Sequence, residues 1–401
     1  MKRLHLLACM VTVLAAGIGL VGGTRYARAA EARYMYSLPS IPLPIVLKGG
    51  ALQREAFRHP DLLPIYGSSE ISIQGDFSAV SVFHDFPTGF APFEVASGGV
   101  NALVLAQQVA AVGPEIRGKK VVISFTPAVF FDKMIHPGNY RDKFSALQAY
   151  LLAFSDSLSF DTKQAAARRM LDYPQTLEND PLLRFALQRL ANDSPVNRAL
   201  YHLVWPLGQL RLVLLDLQDH RATLQYVWGQ PLDPDVPHRP AAIDWSAMET
   251  KAEKETLAST GNNPFGIDDA RWQEFWQKRF QTYKAAGVSE PYVLSMIQNS
   301  TEWTDLDILL RVLRDLGAQP LILSRPMPAA FLRALGVSDR VSQAFYARLH
   351  QVVEPYRMPL VDFAAYENDK YFSMDPDAHP SARGWVTIDE TLDAFYHGTL
   401  Q

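Results

Sequence analysis

The sequence predicts an α/β protein: a three-layer domain around a parallel sheet, interrupted by a helical insertion and preceded by one N-terminal transmembrane helix. Three observations predict it. Short continuous apolar runs, Leu62–Tyr66, Val121–Phe125 and Pro320–Ser324, have the composition of strands buried on both faces. Helical patterns alternate with these runs near both ends of the chain, whereas the middle is almost entirely amphipathic helix. The third observation is an uninterrupted apolar segment close to the N-terminus. Composition narrows the class further. With 401 residues, 48% of them hydrophobic and 20% charged, the chain is neither disordered nor fibrous. A net charge of −4 argues against a nucleic-acid partner held by phosphate contacts. The single cysteine, Cys9, excludes a disulfide framework and any zinc site made of several thiolates.

Lys2, Arg3 and His5 precede the apolar run Leu6–Gly23, and Arg25 and Arg28 mark the return to water. Eighteen residues at about 1.5 Å each span about 27 Å, close to the hydrocarbon core of a bilayer. Residues 6–23 are therefore expected to form a membrane anchor, with residues 1–5 cytoplasmic and the rest of the chain outside the cytoplasm. The alanines within 27–30 resemble a processing site, so a cleaved signal is the alternative. Cys9 reads as a small apolar residue of that anchor. Residues 24–60 contain Pro and Tyr without periodicity and read as a stalk and lead-in.

Residues 61–140 and 291–401 make the two halves of the α/β domain. Leu62–Tyr66 ends in Gly67-Ser68-Ser69-Glu70, a strand feeding a sharp turn. Val100–Val112 is helix-like, and Lys119–Phe125 is a parallel-type strand. Residues 141–290 read as the helical insertion, with apolar residues spaced i, i+3, i+4 over 144–155, 162–171, 177–191, 197–217 and 268–286, broken by the Pro-rich segment 231–240. Its tryptophans (Trp205, Trp228, Trp272, Trp276) suit either core or a partner surface. Afterwards Asp305–Leu316 is helical with Gly317 as its cap, Pro320–Ser324 and Met358–Phe363 are strands, and Trp385–Phe395 is the last helix.

Two places have residues suited to chemistry. A serine on the turn after a strand, in Gly67–Glu70, lies at the carboxyl edge of an α/β sheet, where ligands bind. The other is Asp375-Pro-Asp377-Ala-His379, near the C-terminus. A serine hydroxyl is a weak nucleophile until a histidine takes its proton, and a carboxylate must orient that histidine. Taken singly, the first motif also reads as a helix cap and the second as a surface turn or part of a metal site. No second cluster of metal-ligating side chains stands out. No metal or organic cofactor is expected.

These residues resemble the DltD family, D-alanyl-lipoteichoic acid biosynthesis proteins related to the SGNH/GDSL hydrolases. The resemblance rests on the N-terminal anchor, Gly67–Glu70, Asn262-Asn-Pro-Phe-Gly-Ile267 and Glu302-Trp303-x-Asp305-Leu306. It continues through the 317–323 strand, Val361-Asp-Phe363 and Tyr371-Phe372, and ends in His379…Gly384-Trp385. It implies a flavodoxin-like, SGNH-hydrolase-like sheet of about five strands. By that resemblance Ser69 would be the nucleophile, Ser68 the less favoured choice, and His379 the general base. The family places its Asp three residues before the His, where Pro376 stands here, so either Asp375 or Asp377 would be the acid, with Asp375 preferred. The oxyanion hole would use the N–H of Ser69 and one from Gly98 or Gly99. The Asn donor of ordinary SGNH hydrolases is replaced by Ser124-Phe-Thr126-Pro127.

The resemblance further implies a membrane-anchored acyltransferase that places D-alanyl or a related acyl group on a hydroxyl of a cell-envelope polymer. Its expected partners are the membrane, a multispanning membrane acyltransferase and an acyl carrier protein pathway. Two other readings remain open: an extracytoplasmic esterase or thioesterase, and a non-catalytic coupling protein for a membrane acyltransferase.

Overall fold

The structure, a computed structural model, describes residues 2–38, 43–73, 75–131, 136–232 and 242–400. Five strands, β1 (Leu62–Gly67), β2 (Ala91–Ala96), β3 (Lys120–Phe125), β4 (Gln319–Ser324) and β5 (Leu360–Val361), form one sheet in the order β2-β1-β3-β4-β5. All neighbours are parallel, with Ile65 opposite Val122, Ile123 opposite Ile322 and Leu323 opposite Val361. This is the order of flavodoxin-like sheets. The chain moves from β1 to β2 on one side and returns to β3 on the other, so a crevice opens beyond the carboxyl ends of β1 and β3.

Alternation along the strands decides the layers. Tyr66, Val121, Ile123 and Ile322 face the helices Ala102–Val112 and Glu302–Leu316. Leu63, Ile65, Val122, Leu321 and Leu323 face the helices Ala79–Asp85, Trp245–Ala258 and Ala382–His397. Burying one such aliphatic side chain is worth about 1.5–3 kcal/mol, and both faces are filled with them.

Among the described residues no strand lies between Phe125 and Gln319, and those from Pro137 onward are mostly helical. Its apolar residues, Leu147, Tyr150, Phe154, Met170 and Leu187 among them, join the cluster on the first face of the sheet. Polar contacts tie the block to the helix Glu302–Leu316: Arg169 donates from Nε (2.7 Å) and Nη2 (3.1 Å) to the two carboxylate oxygens of Asp305, and the Ser159 and Thr162 hydroxyls donate to Asp315 Oδ2 (2.8 and 2.6 Å). Trp272 and Trp276 are buried with Phe331, Trp205 is partly buried and Trp228 is exposed. Most of the Pro-rich segment 231–240 lies outside the described residues.

Four elements differ from the expectation. A helix runs unbroken over Lys2–Ala32, and its stretch Met10–Ala32 is long and apolar enough to cross a membrane. Its last turns pack on the long helix Pro195–Val227, where Glu31 Oε1 lies 2.7 Å from His220 Nδ1. The lead-in is equally packed: helix Ala51–Ala56 is buried throughout, and the N–H groups of Gly50 and Ala51 donate to Asp219 at 2.8 Å. Its helices of four and six residues are too short to show a 3.6-residue period, so the sequence resembled a stalk. Strand β2 was not anticipated, because Pro92 and Glu94 interrupt its apolar pattern. As an edge strand paired only with β1, it tolerates both. Strand β5 is confined to Leu360–Val361, since Phe363 enters the left-handed region at φ 47° and ends the extended run.

Candidate active site

The serine turn is built from β1. A Cβ on Gly67 would come within 2.8 Å of both Glu70 Oε1 and Ile71 Cγ1, so only glycine lets the chain fold back this closely. Ser68 follows and is used up locally: its hydroxyl donates to the Ser97 carbonyl (3.3 Å) and accepts from the Val100 N–H (3.2 Å). Ser68 therefore pins the β1 turn to the loop after β2, and Ser69 opens the short helix Ser69–Ser72 with its hydroxyl facing the sheet edge. Ser69 Oγ lies 2.9 Å from His379 Nε2.

His379 and its carboxylate come from one closed loop. Met374 N–H donates to the His379 carbonyl (2.8 Å), and Ala378 takes a left-handed conformation at φ 62° to allow the turn. The Asp375 carboxylate accepts from His379 Nδ1 at 2.7 and 2.8 Å and from the main-chain N–H groups of Asp377 (3.1 Å) and His379 (3.4 Å). Arg271 Nη1 adds a fourth donor at 2.8 Å. The carboxyl of Asp377 is not among the partners of His379. Its carbonyl accepts from Thr126 Oγ1 (2.8 Å), and burial beside Asp375 pushes its carboxyl above the usual range.

Arg271 was not singled out in the sequence, although the Asn262–Ile267 motif lies just before it. Asn263 Oδ1 accepts from the N–H groups of Phe265 (3.1 Å) and Ile267 (3.0 Å), and Gly266 at φ 69° passes the Lys370 carbonyl so closely that a Cβ would lie 2.1 Å from it. Asp268 N–H then donates to the Met374 carbonyl (2.9 Å), and the Asp268 side chain caps the turn that starts Arg271. The motif thus splints the acid-bearing loop and delivers a guanidinium to it.

Beneath the serine turn lies a second buried group of charges. Glu70 Oε1 accepts from the Ser68 N–H (3.0 Å), and burial raises the Glu70 carboxyl. Arg325 is fully buried, 5.6 Å over the Trp385 ring, and burial lowers its guanidinium to about 10 against the opposing fields of Glu70 and Asp389. Asp389, also fully buried, is raised well above the carboxylate range.

A cavity of about 220 Å³ opens at Ser69. It is lined by Ser68, Ser69, Gly99, Val100, Asn101, Thr126, Ala128, Val129, His136, Asn139, Glu302 and Asp377. Gly98 lies against Ser69, its ideal Cβ 3.8 Å from the serine Cβ, and Gly99 lines the cavity at φ 76°. The Asn139 amide also borders it. No strand-associated motif marked Asn139, which reaches the site from the helix Pro137–Lys143. Among the described residues no group of three or more His, Cys, Asp or Glu is arranged to hold a metal. The arrangement can deprotonate a hydroxyl with an oriented imidazole.

A family model described as DltD protein matches residues 43–397. The chain is 26% identical over 355 residues to a protein of Bacillus subtilis (strain 168) named Protein DltD, covering 88% of this chain and 87% of the relative. It is 24% identical over 357 residues to a Protein DltD of Staphylococcus aureus (strain NCTC 8325 / PS 47), covering 89% and 86%. A family match over nearly the whole chain past the apolar helix, together with full-length relatives, places it: the chain belongs to the DltD family.

Proposed function

We propose that this protein is a membrane-anchored serine acyltransferase of SGNH type, acting outside the cytoplasm in D-alanylation of a cell-envelope polymer. The observation that carries the reading is the hydrogen-bonded series Ser69–His379–Asp375, with 2.9 Å at the nucleophile and 2.7 Å at the carboxylate. Ser69 Oγ attacks the carbonyl carbon of an acyl thioester or ester while His379 Nε2 takes the hydroxyl proton. The tetrahedral oxyanion rests on the N–H of Ser69 and that of Gly98 or Gly99, and collapses as His379 gives its proton to the departing thiol or alcohol. In the second half His379 deprotonates an acceptor hydroxyl, which attacks the acyl-serine and releases Ser69. Asp375 holds the imidazole in the required tautomer and stabilises its charged form. An acyl carrier pathway and a multispanning membrane acyltransferase would supply the donor, and membership in the DltD family supports that assignment.

Fluorophosphonate labelling of the full chain in detergent tests the reading. One adduct is expected on intact-mass analysis, abolished by Ser69→Ala, strongly slowed by His379→Ala and retained by Ser68→Ala. Absence of any adduct in the wild type, alone and in native membranes, would sink the nucleophile and favour a coupling role.

A further inference from the structure

We infer that Glu302 selects the acyl group, by accepting hydrogen bonds from a cationic amine carried on the acyl chain bound next to Ser69. The inference rests on the acyl-serine reading above and deepens it. Glu302 opens the helix Glu302–Leu316, is almost fully buried, and lines the same cavity as Ser69. At about 220 Å³ that cavity is smaller than the roughly 300–1,000 Å³ of drug-sized ligand sites, so it suits a small acyl group and not a polymer. Among the described residues the charged groups on its wall are acidic, Glu302 and Asp377, and no Lys or Arg lines it.

The carboxylate is held but not saturated. Among the described residues Glu302 Oε1 accepts from the Ala102 N–H at 2.7 Å, and Oε2 receives only a long contact of 3.4 Å from Asn101 Nδ2. An ionised carboxylate offers about four lone-pair sites, which leaves room for ammonium donors. The nearby cation is already committed elsewhere, because Arg169 forks onto Asp305. Among the described residues no Lys or Arg forms an ion pair with Glu302. Burial and the Asp305 charge raise its carboxyl to about 8, so near neutrality the empty site holds a proton, which leaves when an ammonium binds. A bound ammonium would supply the positive charge that this site lacks, and the two N–H contacts aim the carboxylate so that little reorganisation is needed.

The test compares two N-acetylcysteamine thioesters that differ at one group, D-alanyl (ammonium) and lactyl (hydroxyl). Acylation of the full chain in detergent is followed by intact mass, and each rate is divided by that thioester's own hydrolysis rate in buffer. Wild type is expected to prefer alanyl by about tenfold to a hundredfold, the range of a charge-assisted hydrogen bond to a desolvated partner. Glu302→Gln should bring the ratio down to within about threefold of unity. A wild-type ratio within about twofold of unity overturns the inference without requiring any variant, as does a Glu302→Gln ratio equal to wild type. Fluorophosphonate labelling separates the two readings: an adduct on Ser69 with a flat ratio removes only the role of Glu302, whereas no adduct removes both.

Discussion

Replacing Asp375 by Asn asks which carboxylate serves His379. In the wild type both Asp375 oxygens lie within 2.8 Å of Nδ1, so Nδ1 carries the proton and Nε2 is the acceptor facing Ser69. An amide at this place meets donors on every side: Oδ1 faces the N–H groups of Asp377 and His379, and Oδ2 faces Arg271. Whichever oxygen becomes NH₂ loses a favourable contact, and its hydrogen then competes with the remaining carbonyl for Nδ1; where it wins, the imidazole proton moves to Nε2. The base is then protonated where it should accept. Such a tautomer reversal lowers turnover about 10⁴-fold in serine proteases, which is about 5.4 kcal/mol at 1.36 kcal/mol per tenfold. Asp377→Asn leaves His379 untouched and keeps the Thr126 contact, which uses the main-chain carbonyl. It should cost less than about tenfold. The assay is the second-order rate of fluorophosphonate labelling of the full chain by intact mass. A rate for Asp375→Asn within about tenfold of wild type, or one for Asp377→Asn as low as that for Asp375→Asn, would refute the reasoning.

Other predictions concern the supports of the site. Arg325→Met replaces a fully buried guanidinium, whose nitrogens have no hydrogen-bond partner among the described residues, by an apolar chain of similar length, so thermal denaturation should show stability unchanged or raised by up to about 4 kcal/mol, and a loss would contradict it. Gly266→Ala places a Cβ 2.1 Å from the Lys370 carbonyl at a positive φ, so the splint must shift; labelling of Ser69 should slow along with a lower melting temperature. The Glu302 carboxyl has a folded-state pKa of about 8, raised from 4.5. The folded chain therefore binds the proton more tightly than the unfolded one, and the stability this contributes is full below about 4.5 and lost as the pH rises through about 8. Glu302→Gln removes that dependence, so its melting temperature relative to wild type should increase from pH 5 to pH 8. A constant difference across that range would contradict it.

Much of the frame is written in local patterns. Runs such as Val121–Phe125 can be satisfied only between two covered faces, and the i, i+3, i+4 pattern of 302–316 presents one apolar stripe, so strand and helix follow from period alone. The serine turn was equally legible, because Gly67 is required by a contact only three residues long. Strand β2 was hidden by Pro92 and Glu94, residues whose acceptability depends on the strand being at the sheet edge, which no local pattern records. The lead-in was hidden by the brevity of its helices.

The amino-acid sequence by itself determined strands β1, β3 and β4, the apolar N-terminal helix, and the two motifs that carry the early serine and the late histidine. Tertiary structure alone decided which acid meets that histidine. Asp375 and Asp377 are chemically alike and two residues apart, and the left-handed turn at Ala378 aims only the first at Nδ1 while turning the second toward the cavity. Tertiary structure likewise brought Arg271, more than a hundred residues away, onto Asp375, and set Glu302 in the wall beside Ser69. The physical reason is the same in each case. Periodicity reports what a segment does to its own neighbours, whereas the charge balance of a buried site depends on which distant segments the fold brings together.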